Sequence, residues 1–203
     1  MDWPQPTDKD LARFADIVAY RAALDQLPHG EEQRLRIASM GAEAGTLISQ
    51  YIWHLKITRI LEIGLCAGIG AAYMCSAAER HGRVEYIGLE HDSDKCAIAD
   101  QTLKKFCRNT EYTFLCGEFD DTLATALDRA QPLQFVYLDG HHKREPTVRM
   151  FNQCVDAMTQ GGVIVCDDLG WKAQGDARWL LQRHPRVTDH WQFAKKDAFT
   201  IKP

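Results

Sequence analysis

The chain has 203 residues, 45% of them hydrophobic and 26% charged, with 24 basic and 28 acidic side chains. That length and balance fit a single globular domain and argue against disorder. A formal net charge of -4 argues against an electrostatic nucleic-acid binder, and no apolar run reaches the roughly 18 residues of a membrane span. Met1-Asp2-Trp3-Pro4 lacks the basic and apolar regions of a signal peptide. Seven cysteines without a CxxC pair point to reduced, mostly buried thiols in a cytoplasmic protein.

Thr7–Asp10 offers a cap to a first helix, in which Leu11, Phe14, Ala15 and Val18 recur at helical spacing. Pro28-His29-Gly30 ends it. A second helical region runs from about Glu31 to His54, with a break near Gly41 or Gly45. Residues 1–55 therefore read as a helical cap, and 56–203 as the core of the same domain. Leu11, Phe14 and Ile17 are more apolar surface than a single sheet face needs, so they are expected to pack on the domain or on a second subunit, as a homodimer.

From Arg59 the pattern changes to short apolar runs alternating with amphipathic stretches. The runs are Ile60–Ile63, Val84–Leu89, Tyr112–Leu115, Phe135–Leu138 and Val163–Cys166. Helical stretches lie near 70–81, 93–107, 119–129 and 144–159. This alternation predicts an α/β fold whose parallel sheet is covered on both faces. Two more strands, Val187–Phe193 and Ala198–Ile201, are separated only by Ala194–Asp197. That spacing suits an antiparallel hairpin at the sheet edge and brings the total to seven strands.

Ligands of open α/β sheets bind outside the carboxyl ends of the strands, so the residues that follow each run carry most information. Glu62-Ile63-Gly64-Leu65-Cys66-Ala67-Gly68-Ile69-Gly70 is rich in glycine, as a loop approaching a ligand closely would be. It does not fit the nicotinamide fingerprint GxGxxG, which fails from Gly64 at Cys66 and from Gly68 at Tyr73. Glu90, after the second strand, can accept hydrogen bonds from both hydroxyls of a ribose; the lesser alternative is a helix cap or a solvated acid. Glu118, after the third, can meet an adenine amino group or serve only as a first-turn acid. Asp139 follows the fourth strand, and Asp167 and Asp168 the fifth. Three carboxylates from adjacent strands suit a hard divalent ion such as magnesium, although one of the last pair can instead cap a turn. His141-His142 lacks the further ligands of a zinc site.

These residues resemble the class I S-adenosylmethionine-dependent methyltransferases, and more closely their small metal-dependent O-methyltransferase branch, the catechol O-methyltransferase-like enzymes. The resemblance rests on Leu61-Glu62-Ile63-Gly64-x-x-x-Gly68, Gly88-Leu89-Glu90, Gly117-Glu118, Leu138-Asp139-Gly140-x-His142 and Gly161-Gly162 to Asp167-Asp168. Met40–Ile48 is similar to the family's helix over the cofactor. The resemblance implies a Rossmann-like fold and S-adenosyl-L-methionine as cofactor. It implies that Met40, Glu62, Gly64, Cys66, Gly68, Gly70, Glu90, His91, Glu118 and Asp139 line the cofactor, and that Asp139, Asp167 and Asp168 hold Mg2+. The Asp-Asp pair and the Asp-Gly-x-His segment are similar to the macrocin-type sugar enzymes; the catechol enzymes have Asp-Asn. His142 stands where the catechol enzymes place a lysine and is the candidate base, with Lys143 next. The expected reaction is methyl transfer to a hydroxyl of a small molecule. The alternatives are a metal-independent methyltransferase with an O or N acceptor, and a non-catalytic S-adenosylmethionine-binding protein. No nucleic-acid or membrane partner is expected. Trp171 can wall an aromatic acceptor or sit in the core.

Overall fold

A computed structural model of the chain describes residues 7–24 and 40–202. The expectations placed on Met1–Pro4, on Pro28-His29-Gly30 and on 31–39 of the second helical region lie outside the described residues. Seven strands form one sheet: β1 (Arg59–Ile63), β2 (Val84–Glu90), β3 (Thr110–Cys116), β4 (Leu133–Leu138), β5 (Met158–Cys166), β6 (Val187–Phe193) and β7 (Lys196–Ile201). Their order is β3-β2-β1-β4-β5-β7-β6. β1 runs parallel to β2 and β4, and β4 parallel to β5, whereas β7 is antiparallel to both β5 and β6. The mostly parallel sheet with a carboxy-terminal hairpin is the one that the alternating apolar runs predict.

The chain divides into two compact units. One comprises Arg59–Gly64, Glu85–His91 and the described residues of Tyr112–Pro203, and so holds most of the sheet together with α5 (Phe119–Ala130), α6 (Arg144–Ala157) and α7 (Ala177–Gln182). Strand side chains alternate between faces. Leu61, Ile63, Leu89, Val136, Leu138, Ile164 and Phe199 therefore share a core with Leu123 and Leu127 of α5, with Met150, Phe151 and Val155 of α6, and with Leu181 of α7. Each such burial contributes roughly 1.5–3 kcal/mol before the entropy of ordering is subtracted. Phe151 meets Phe199 edge-on, with centroids 5.2 Å apart. The other alternation, which carries Ile60, Glu62, Tyr86, Phe135, Tyr137 and Val165, is also buried, and Glu62 lies opposite Tyr137 in the parallel register.

The second unit takes the described residues of Met1–Thr58, with Leu65–Val84 and Asp92–Glu111. It contains α1 (Asp8–Leu24), α2 (Ala42–Leu55), α3 (Ile69–Ala78) and α4 (Ser93–Phe106). Phe14 stacks on Trp53 at 5.5 Å and meets Tyr73 at the same distance, and Ile17 is fully buried. Two of the three apolar α1 residues are thus satisfied within the chain; Leu11 stays 49% exposed. Glu79 ties the segment after α4, accepting from the backbone N–H groups of Arg108 (2.6 Å) and Asn109 (2.7 Å) and from Thr110 Oγ1 (2.9 Å). No described helix is long and apolar enough to cross a membrane.

Three details depart from the sequence expectations. Cys66, Cys75, Cys107, Cys154 and Cys166 are free thiols, but Cys96 and Cys116 are disulfide-bonded. Which thiols oxidise depends on the fold and leaves no local spacing to read. β5 begins at Met158, five residues before the apolar run, and passes through Gly161-Gly162; its register shifts opposite Leu133 and Phe135 of β4, where β5 carries the extra residues. The hairpin turn is only Ala194-Lys195, since Phe193 already pairs with Lys196. Both turn residues have positive φ, 43° and 65°, as two-residue hairpin turns require.

The loop after β1 shows how tightly the strand ends meet. The Gly64 N–H donates to the Leu89 carbonyl at 3.0 Å, and the Asp139 N–H to the Ile63 carbonyl at 2.8 Å. Gly64 has φ +96°, and a Cβ there would lie 2.7 Å from the Asp139 carbonyl carbon. Gly64→Ala combines a disfavoured backbone conformation with a backbone clash. It is expected to cost about 2–5 kcal/mol, read as a fall in the urea unfolding midpoint.

Candidate active site

β4 and β5 deliver the acidic residues. Asp139 leaves the end of β4. Asp167 leaves β5, its N–H bonded to the Leu138 carbonyl at 3.0 Å. Asp168 follows with φ +55°, a conformation that a non-glycine residue rarely holds without surrounding constraint. Its N–H donates to Asp167 Oδ1 at 2.8 Å. The other oxygen, Asp167 Oδ2, accepts from the Tyr137 hydroxyl at 2.8 Å and from the Lys196 ammonium.

The expected metal set was Asp139, Asp167 and Asp168. Among the described residues, the group whose ligand atoms all lie within 4.8 Å of one another is Asp139, His142 and Asp168. Asp167 is turned onto Tyr137 and Lys196. His142 Nδ1 lies 3.5 Å from Asp168 Oδ2, and its ring lies 4.8 Å from that of Trp171 at an angle of 34°. Lys143, the other candidate base, is exposed at the start of α6 and lies outside this group.

The crowding shows in the ionisation of the acids. Burial, then the Asp167 carboxylate, push the Asp139 carboxyl well above its ordinary range, and the Lys196 ammonium opposes them. Asp168 is raised by burial and by Asp167, with His142 and Lys196 opposing. Glu62 is pushed up to about 8 by burial, although the Tyr86 hydroxyl donates to it and favours the charged form. Two carboxylates and an imidazole converging here fit a divalent cation, which would relieve the repulsion.

The expected cofactor residues fall in both units. On the sheet, Glu90 is buried and accepts from the His91 N–H at 3.0 Å; His91 Nδ1 stands 2.9 Å from Glu90 Oε1. His91 and His141 both meet the Phe119 ring edge-on, at 5.8 and 5.4 Å. Glu118 is exposed at the start of α5, and its side chain makes no cap bond. In the helical unit, Met40 is buried, Cys66 is half-buried with φ +48°, Gly68 precedes α3 and Gly70 is buried in its first turn.

The structure adds residues that the sequence reading missed. Lys196, Tyr137 and Tyr86 hold the acids, and a cavity of about 520 Å³ is lined by Asp168, Gly170, Trp171, Arg178, Gln192, Phe193, Ala194 and Lys195. Trp171 is 54% exposed and no core residue. A period-2 pattern in β4 puts Tyr137 on the face of Asp139, the one signal that pointed to it. Lys196 is placed by hairpin register alone.

Glu62 supplies a stability test on the cofactor-free protein. Its folded value of about 8 lies above the reference value of 4.5, so the folded state binds the proton more tightly. The stabilisation is complete below about 4.5 and is lost as pH rises through about 8. Wild type is therefore expected to lose stability across this window with a slope of up to about 1.4 kcal/mol per pH unit. Glu62→Gln, which mimics the neutral acid, should flatten the curve; urea unfolding at stepped pH reads both.

A family model described as "Methyltransferase domain" matches residues 61–169, more than half of the chain. No curated protein sequence matches it. Among solved structures, the O-methyltransferase TomG from Streptomyces achromogenes, involved in tomaymycin synthesis and in complex with SAM, is 18% identical. The match covers 98% of this chain and 91% of TomG, with a TM-score of 0.68. The O-methyltransferase from Bacillus cereus in complex with SAH is 17% identical over 98% and 92%, with a TM-score of 0.70. The SAH-bound Podospora anserina methyltransferase PaMTH1 is 14% identical over the whole of both chains, with a TM-score of 0.72. These likenesses identify the sheet as the Rossmann-like methyltransferase fold. The family match begins in β1 and ends just past the acids that follow β5, and by it the chain belongs to the methyltransferase-domain family.

Proposed function

We propose that the protein is an S-adenosylmethionine-dependent methyltransferase that methylates a hydroxyl of a small molecule with the help of magnesium. The observation that carries this reading is the Asp139–His142–Asp168 group at the ends of β4 and β5, in a chain of the methyltransferase family. TomG and the Bacillus cereus enzyme, both O-methyltransferases, support the choice of cofactor and of an oxygen acceptor.

In this reading Glu62 and Gly64 meet the cofactor's methionine part, Glu90 accepts from its ribose hydroxyls, and His91 and Glu118 flank its adenine. Magnesium prefers carboxylate and water to imidazole, so Asp139 and Asp168 hold it. When bound, it makes a nearby hydroxyl easier to deprotonate. His142 is left as the base. Asp168 Oδ2 faces Nδ1 and orients the ring, while the other nitrogen takes the acceptor's proton. The sulfonium methyl is already activated, so alignment supplies most of the remaining barrier reduction.

Lys196 favours a second reading. Its ammonium on Asp167 is a cation that the chain itself supplies beside the acids, and it suits a metal-independent methyltransferase in which the acids only orient the acceptor. An acceptor screen with labelled S-adenosylmethionine, run with magnesium and with chelator, separates the two. Activity lost to chelator and restored by magnesium is expected; activity indifferent to chelator establishes the second reading.

Two further outcomes follow from the geometry. His142→Ala is expected to lower kcat about 100-fold or more while calorimetric affinity for S-adenosylmethionine stays within a factor of about two. Lys143→Ala should leave kcat near wild type. Because the Asp139 and Asp168 carboxyls sit above their ordinary range, protons compete with the ion at higher pH than for isolated carboxylates. Magnesium affinity, titrated calorimetrically, is expected to weaken steadily as pH falls from neutrality towards 5.

A further inference from the structure

We propose that the cavity beside Asp168 selects acceptors that carry a carboxylate, held by Lys195 and Arg178 while an aromatic ring lies on Trp171. The inference rests on the reading above that Asp168 marks the site of methyl transfer, and it names the acceptor class for that site.

The cavity volume of about 520 Å³ falls in the usual range for small-molecule sites. Trp171 lies on its wall, half-exposed, with His142 beside its ring. A large aromatic left open next to a candidate base is a ready platform for a planar acceptor.

Arg178 is fixed for recognition rather than free on the surface. Its Nε and Nη2 donate to the two oxygens of Asp197 at 2.8 and 3.0 Å. Asp197 is fully buried, and its Oδ1 also meets His190 Nε2 at 2.8 Å and Gln192 Nε2 at 2.9 Å. Gln182 Nε2 lies 2.9 Å from His190 Nδ1. An amide nitrogen only donates, so Nδ1 accepts and Nε2 carries its proton towards Asp197. The aspartate is thereby held from three sides, and Nη1 of Arg178 has no partner among the described residues. A guanidinium edge oriented in advance in this way loses little entropy on meeting a carboxylate.

Lys195 adds the net charge. It is exposed on the cavity wall at the second position of the two-residue hairpin turn and makes no ion pair among the described residues. Glycine is the residue that this turn position favours, since φ is +65° there. The chain instead keeps a lysine in a conformation costly for it, on the wall of the cavity that Asp168 lines.

The turn also supplies a clean variant. Lys195→Gly removes the charge and relieves the backbone, so lost binding cannot be blamed on misfolding. The probes are protocatechuate, with a carboxylate and two vicinal hydroxyls, and its primary amide, which differs only in charge. Each is titrated calorimetrically into the full chain with S-adenosylhomocysteine and magnesium. Wild type is expected to bind the acid about tenfold more tightly than the amide, as charge-assisted hydrogen bonds imply. Lys195→Gly should lose most of that preference, keep its affinity for the amide within about twofold, and unfold at the same or a higher urea concentration. Equal affinity for acid and amide, binding of neither, or a preference unchanged in Lys195→Gly overturns the proposal. Methyl transfer to the same pair is then read separately. If the acid is preferred in binding and neither compound is methylated, carboxylate recognition stands and the methyl-transfer reading fails. If both are bound and methylated equally, the reverse holds.

Discussion

Four carboxyl groups, those of Glu62, Asp139, Asp167 and Asp168, meet where β1, β4 and β5 end, and like charges so close cannot all be ionised without compensation. The chain answers differently for each. Glu62 is buried with the Tyr86 hydroxyl on it and keeps its proton to about pH 8. Asp167 receives an internal cation, Lys196, and the Tyr137 hydroxyl. Asp139 and Asp168 face each other across a group completed only by His142. Asp139 and Asp168 are therefore the two aspartates at this spot without a lysine on them, and the crowding holds their carboxyls above the ordinary range.

The same arrangement gives the carboxy-terminal hairpin a part in the site. β7 runs antiparallel beside β5, with Asp197 opposite Cys166. That register puts Lys196 against Asp167 and leaves Asp197 to anchor Arg178. Neighbouring residues on one strand thus serve opposite ends of one problem, the first neutralising an acid and the second holding a guanidinium in place. Asp168, between Asp167 and the cavity, joins the two.

Much of this was legible in the sequence because it is local. Apolar runs of four to six residues marked the strands, and the acids just beyond them marked the ligand end of the sheet. Trp171 was left between wall and core, since an aromatic after a strand fits both. What escaped was set by pairing across distance. The ion pair on Asp167 comes from Lys196, 29 residues further along the chain, and a shift of the hairpin by one residue would have put Lys196 on the other face. The apolar run marked β5 only from Val163, yet the strand begins at Met158 and passes through Gly161-Gly162.

The position of β7 has a consequence for how the molecule is made. In the sheet it lies between β5 and β6, although it follows both in the chain. During synthesis from the amino terminus, β5 must wait with one edge unpaired, and β6 has no partner until the turn at Ala194-Lys195 has formed. An open edge on a buried parallel sheet invites pairing with other chains. Until the last strand docks, Asp167 also stands beside Asp139 and Asp168 without its counter-ion. Completion of the sheet and neutralisation of the acids are then one event, and a nascent chain stalled before Lys196 carries both an open strand edge and an unbalanced charge.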